Sequence, residues 1–151
     1  MPAKVLDDLV TGLNLDRARA LRHAVLNNGP EWHVIEMASA DDLTGLDASA
    51  ITPVPPYSVG LIGAQDAGAQ TDYEVRMFSM FAGLKEDPIT GSLNAALAHW
   101  LQDQGRADAP YVVAQGTCIG RTGRVHVAQD SAKNMRIGGH TNILIRGDVI
   151  L

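Results

Sequence analysis

Between Ser92 and Gln104 the apolar residues Leu93, Ala96, Leu97, Trp100 and Leu101 recur at i, i+3, i+4, i+7 and i+8. That spacing lines one face of an α-helix and predicts the strongest helix of the chain, with Gly105 as its stop signal. The small side chains of Ala95, Ala96 and Ala98 beside the large Trp100 let other elements approach this helix closely. A chain built around one such helix must supply an apolar surface to cover it.

The rest of the sequence supplies strands. Trp32–Met37, Tyr57–Ile62 and Glu74–Ser79 read as strands before the helix. Tyr111–Gln115, Gly123–Gln129, Asn134–Ile137 and Asn142–Ile150 read as strands after it, joined by turns rich in Gly, Asp and Asn. Trp32, Val34 and Glu36 share one face of the first strand, and His33, Ile35 and Met37 share the other. Toward the N-terminus, Val5, Leu6, Leu9 and Val10 predict a short helix ending near Gly12. Asn14 is positioned to cap a second helix running to about Arg22, with Leu15, Ala18, Leu21 and Val25 on one face and Asn27-Asn28-Gly29-Pro30 stopping the segment. Asp41 and Asp42 suit a helical turn, Pro53, Pro55 and Pro56 mark a connection, and Gly63–Gln70 reads as a loop or hairpin. The order predicts a single α+β domain over residues 1–151, with a curved mixed or antiparallel sheet wrapped around a central helix at about Ser92 to Gln104.

Charge and cysteine content exclude several functions. Twelve basic against 17 acidic side chains give a net charge of -5, which offers no electrostatic footprint for nucleic acid or for an anionic membrane. No segment approaches the ~20 apolar residues of a membrane span. One cysteine, Cys118, precludes an internal disulfide or a Cys-x-x-Cys pair and fits a reducing cytoplasm, where we expect a structural thiol. His23, His33, His99, His126 and His140 show no metal-ligand spacing, so no metal is expected. His99 is offset from the apolar stripe, and His140 beside Gly138-Gly139 is either a turn residue or a catalyst. Gly116–Gly123 with Arg121 and Arg124 is either a hairpin turn or an anion-binding loop. Trp32 and Trp100 belong to a core or an interface.

The segment Glu86-Asp87-Pro88-Ile89-Thr90-Gly91-Ser92 has the composition of more than a connector. Thr90, Gly91 and Ser92 open the strong helix, where unpaired N–H groups and the positive end of the dipole favour a carboxylate or phosphate. Gly91 allows close approach of a ligand, and the hydroxyls of Thr90 and Ser92 donate or accept. Asp87, Thr90 or Ser92 would equally serve as a plain helix cap.

Arg76-Met77-Phe78-Ser79 followed by Gly83-Leu84-Lys85-Glu86-Asp87-Pro88-Ile89-Thr90-Gly91-Ser92 resembles the signature of the phenazine-biosynthesis PhzF-like family. The resemblance continues through Gln115-Gly116, Gly120-Arg121-Thr122-Gly123-Arg124-Val125, Ile137-Gly138-Gly139 and Ile145-Arg146-Gly147-Asp148-Val149. It implies a diaminopimelate-epimerase-like fold in which two similar lobes enclose a cleft, this chain corresponding to the C-terminal lobe. It implies a cofactor-independent isomerase that moves a proton on a small carboxylated metabolite. Asp87 would assist proton movement or orient the substrate, Ser92 would bond its carboxylate, Thr90 and Gly91 would complete the cradle, and Glu86 would assist or hold the loop. Arg76 is expected to brace the loop. The family's principal catalytic glutamate and a Gly-His segment belong to the N-terminal lobe, so the expected partner is a separate N-terminal-half subunit or a second copy of the chain. A homodimeric module that binds a small molecule without catalysis is the alternative.

Overall fold

A computed structural model describes residues 1–51, 57–79 and 86–150. The connection predicted at Pro53, Pro55 and Pro56, and the Gly83-Leu84-Lys85 part of the motif, lie outside the described residues. The elements run α1 (Ala3–Gly12), β1 (Ala20–Asn27), β2 (Glu31–Met37), α2 (Ala40–Thr44), β3 (Ser58–Ala64), β4 (Tyr73–Ser79), α3 (Gly91–Asp103), β5 (Tyr111–Gln115), β6 (Gly123–Gln129) and β7 (Met135–Gly138). All seven strands form one mixed sheet in sequence order. The pairs β2/β3 and β4/β5 are parallel and the other four are antiparallel.

The two parallel pairs determine where the helices go. Each needs a crossover, β2 to β3 through α2 and β4 to β5 through α3. Both crossovers step the same way across the sheet, but β4 runs opposite to β3, so two right-handed connections must lie on opposite faces. They do: α3 packs inside with Trp32, Val34, Ile62, Val75, Met77, Val113, Val125 and Val127, whereas Leu43 of α2 joins α1, Ile35, Val59, Leu61 and Phe78 on the outer face. Alternate residues of each central strand therefore enter two different cores, which is why β3 and β4 are buried almost throughout. The strands β1 and β7 at the two ends of the sheet both contact α3, so the sheet curls around the helix as its apolar stripe predicts.

Two local predictions change. The segment predicted as a second helix from Asn14 to Arg22 is instead one 3-10 turn at Arg17–Arg19 followed by β1. Asn14 adopts a left-handed φ of 53°, and Ala20–Asn27 pairs with β2 through the hairpin at Asn28-Gly29-Pro30. Pairing places Leu26 opposite Trp32 and Ala24 opposite Val34, a burial that the helical spacing of Leu15, Ala18, Leu21 and Val25 could not provide. The second change is at Asn142–Ile150, which forms no strand and is exposed throughout.

One buried ion pair ties the outer face together. Arg76 and Glu86, 1% and 3% exposed at their side chains, make a two-pronged bond: Nε to Oε1 at 3.0 Å and Nη2 to Oε2 at 2.7 Å. Arg76 Nη1 also donates to the carbonyls of Leu43 at 2.7 Å and Leu46 at 2.6 Å, satisfying acceptors at and just beyond the C-terminal end of α2. Two residues back, Glu74 is 1% exposed, and its Oε1 has no hydrogen-bond partner among the described residues. Burial pushes this carboxyl up, moderated by a hydrogen bond from Thr117 and by the Arg124 and Arg76 charges.

Three outcomes follow for folding. Leu97→Ala, at 2% exposure against α3's core, should cost about 2–5 kcal/mol in chemical denaturation. Arg76→Met should cost about 3–5 kcal/mol, because Glu86 is left buried without its counter-charge. For Glu74 the folded state binds its proton more tightly than the unfolded chain, so ionisation destabilises the fold at higher pH. The penalty is full above the folded value and is relieved as pH falls toward the ordinary carboxylate range. Melting temperatures of wild type and Glu74→Gln should therefore converge on acidification, with the variant the more stable at neutral pH.

Candidate active site at the N-terminus of α3

The turn Glu86–Thr90 is fixed from three sides before the helix begins. Asp87 N–H donates to Met77 O at 3.0 Å, stitching the turn to β4. Glu86 lies behind it, turned inward onto Arg76, so Arg76 does brace the loop. From the β5 end comes Gln115, 0% exposed, whose carboxamide bonds the turn at three positions and Asn94 of α3 at the fourth. Its Nε2 donates to Asp87 O at 3.1 Å and to Thr90 Oγ1 at 2.9 Å. Its Oε1 accepts from Thr90 N–H at 3.1 Å and from Asn94 Nδ2 at 2.8 Å. Two donors and two lone pairs are thereby all used.

The consequence for Asp87 is a preset orientation. Thr90 Oγ1 accepts from Gln115, so its own proton is directed at Asp87 Oδ2, to which it makes a very short hydrogen bond. Asp87 Oδ1 takes no hydrogen bond from the described residues. The carboxylate is half-buried, held at one oxygen and available at the other.

Thr90 is the N-cap of α3 by position, but its hydroxyl is engaged with Asp87 and does not cap the helix. Asn94 N–H reaches Thr90 O, so among the described residues the N–H groups of the exposed Gly91 and half-buried Ser92 remain for another acceptor, whereas Leu93 is buried at 0% exposure. A Cβ built on Gly91 meets no atom within 4 Å, so the space in front of the first turn is open. Ser92 sits beside it, half-buried, its carbonyl accepting from Asn28 Nδ2 at 3.1 Å and its hydroxyl unengaged among the described residues. The structure thus brings Asp87, Thr90, Gly91 and Ser92 together on one surface and puts Glu86 behind it.

Gly116 and Gly123 allow this packing. Gly116 has φ +84°, and a Cβ there would come within 2.6 Å of Pro88 O; at Gly123 it would come within 2.4 Å of Gln115 O and 3.1 Å of Pro88 O. The Gly116–Gly123 segment is a hairpin connection between β5 and β6 containing one 3-10 turn.

Other candidates stand apart. Cys118 donates to Thr44 O at 3.7 Å, and burial pushes its thiol up, away from thiolate chemistry. His33 stacks on Tyr57 at 4.3 Å between ring centroids, and burial lowers its proton affinity. His99 and His140 are exposed. Among the described residues no group of three His, Cys, Asp or Glu could hold a metal, and no helix is long and apolar enough to cross a membrane.

Sequence reasoning passed over Gln115, Asn94 and Asn28 as site residues. Asn94 did carry a signal, since its spacing puts a polar residue on the face of α3 that Leu97 and Leu101 share, and the structure buries it at 1% exposure. Gln115 appeared only as part of a Gln-Gly pair, and its role needs the proximity of β5 to α3.

Comparison with known proteins identifies the family and the fold. The family model described as phenazine biosynthesis-like protein, PhzC-PhzF, matches residues 1–147. Among curated proteins, the uncharacterized isomerase YfhB of Bacillus subtilis (strain 168) is 26% identical over 102 residues, 66% of this chain and 33% of that protein. Among solved structures, the PhzF-family phenazine biosynthesis protein of Bacillus anthracis superposes with a TM-score of 0.66 at 20% identity, covering 86% of this chain and 49% of that one. The Enterococcus faecalis PhzF-family protein gives 0.65 at 18% identity, covering 100% of this chain and 53% of that one. The chain thus spans about half the length of these structural relatives and a third of the curated one. With its family signature matched over nearly its whole length and its sheet curled around α3, the chain belongs to the phenazine biosynthesis-like PhzC-PhzF family.

Proposed function

We propose that this chain supplies one half of a cofactor-independent isomerase site, equivalent to the C-terminal lobe of its longer relatives. In this reading a small carboxylated metabolite places its carboxylate on the N–H groups of Gly91 and Ser92, aided by the Ser92 hydroxyl. Asp87 Oδ1 then takes a proton from the neighbouring carbon, and the negative charge that develops on the carboxylate is stabilised by the helix dipole and its N–H groups. Return of the proton to a different face or carbon completes the isomerisation. Glu86 and Arg76 act as positioning residues, as does Gln115 through Thr90.

The observation that carries this reading is a carboxylate, Asp87, held at one oxygen beside an open helix N-terminus. Family membership supports it, and so does the word isomerase in the name of the Bacillus subtilis relative. Return of the proton on the opposite face needs a second acid or base, which falls to a completing lobe, either a separate N-terminal-half subunit or a second copy. A reducing cytoplasm suits the single unpaired thiol.

In the assembled protein, deuterium wash-in from D2O next to the carboxylate of a panel of small carboxylic acids, read by mass spectrometry, should identify substrates. Asp87→Asn should abolish the exchange while leaving the fold intact, and unchanged exchange would remove Asp87 from the mechanism. Ser92→Ala should weaken substrate binding by about 1.5–3 kcal/mol, the value of a hydrogen bond to a charged group. An unaltered dissociation constant would remove Ser92 from the cradle.

A further inference from the structure

The nine large apolar side chains that stand exposed among the described residues are not scattered. Five of them, Ile143, Leu144, Ile145, Val149 and Ile150, lie on the arm that follows β7, at 70% to 100% exposure, and two more, Leu21 and Val25, lie on β1. The arm has the composition of a strand, and it makes no backbone hydrogen bond among the described residues. Strand β1 forms one edge of the sheet, so one side of its backbone has no strand partner. Along that edge runs an open groove of about 310 Å³ between β1 and α3, lined by Val25, Leu26, Ala96, His99, Trp100 and Asp103. One chain therefore carries both an unpaired strand-forming segment and an unpaired sheet edge.

We propose that the arm of one copy adds as an antiparallel strand to the β1 edge of a second copy, and reciprocally, so that the chain is a twofold dimer built by arm exchange. The chemistry of the two surfaces sets the register. On the α3 side of β1, read against the direction of the strand, come Leu26 beside Trp100, then Asp103 of α3, then Arg22, which faces Glu36 at 3.5 Å. Alternate residues of the arm, which share one face of a strand, read Leu144, Arg146, Asp148. Apolar meets apolar, base meets acid and acid meets base in the same order. The opposite face then brings Ile143 and Ile145 against the exposed Val25 side of β1. Reciprocal use of the same two surfaces closes the assembly at two copies.

The arm also leaves the sheet near the candidate site. Gly139 lies by Arg124 O, and Arg124 neighbours Gly123, the register partner of Gln115. The dimer stands independently of whether the first turn of α3 binds a carboxylate, since neither surface includes Asp87 or Ser92.

Sedimentation equilibrium of the full chain should give twice the chain mass of 16.1 kDa. A chain ending at Gly139 should be monomeric with an unchanged circular dichroism spectrum. Arg146→Glu should raise the dimer dissociation constant by about ten-fold or more, roughly 1.4 kcal/mol. Combining it with Asp103→Lys should restore dimerisation. A monomeric full chain, a dimer that survives removal of the arm, or a charge swap that fails to rescue would each overturn the proposal. Failure here would leave deuterium wash-in at the Asp87 site untouched, and a catalytically silent dimer would leave the arm exchange standing.

Discussion

The carboxamide of Gln115 is the interaction on which the geometry of the site depends. It joins the end of β5 to the turn before α3, and all four of its hydrogen-bonding positions are taken by that turn and by Asn94. At 0% exposure no water competes for these groups, so the bonds are worth most where they are and would be costly to leave unmade. Because the Thr90 hydroxyl accepts from Gln115, its proton is committed to Asp87. Gln115 therefore fixes the orientation of a carboxylate it does not touch, and it frees α3 from a hydroxyl cap that would otherwise occupy its first N–H groups.

The larger architecture serves the same end. Crossovers of one hand around strands of opposite direction put α2 outside and α3 inside the curled sheet, giving a chain of modest size two apolar cores. Arg76 belongs to the outer core, yet it holds the C-terminal end of α2 and, through Glu86, the rear of the turn that bears Asp87. Gly116 and Gly123 let the β5–β6 hairpin close against Pro88 O. The site is a place where a βα turn is held by both cores, and rigidity of that kind is what a positioned acid or base requires.

Much of this was legible in the sequence where the signal is local. The stripe on α3, the alternating strands β2 to β6 and the motif at Glu86–Ser92 all follow from spacing or composition within one segment. Failures occurred where distant partners decide the outcome. The Leu15–Val25 spacing suits a helix, but pairing with β2 and burial against Trp32 favour a strand. The Asn142–Ile150 segment has strand composition without a strand partner in its own sheet. Gln115 could not be read as a clamp, because its contacts are 21 to 28 residues away in sequence.

The central claim is that Gln115 holds Asp87 and Thr90 so that the N-terminus of α3 stays open to a carboxylate. Amide chemical shifts of Gly91 and Ser92, followed by NMR as a small carboxylate such as benzoate is added, test it. Saturable shifts at these two amides are expected in the wild-type chain, with their loss in Gln115→Met while the helix is retained. Shifts that are absent at these amides, or that persist unchanged in Gln115→Met, would contradict it.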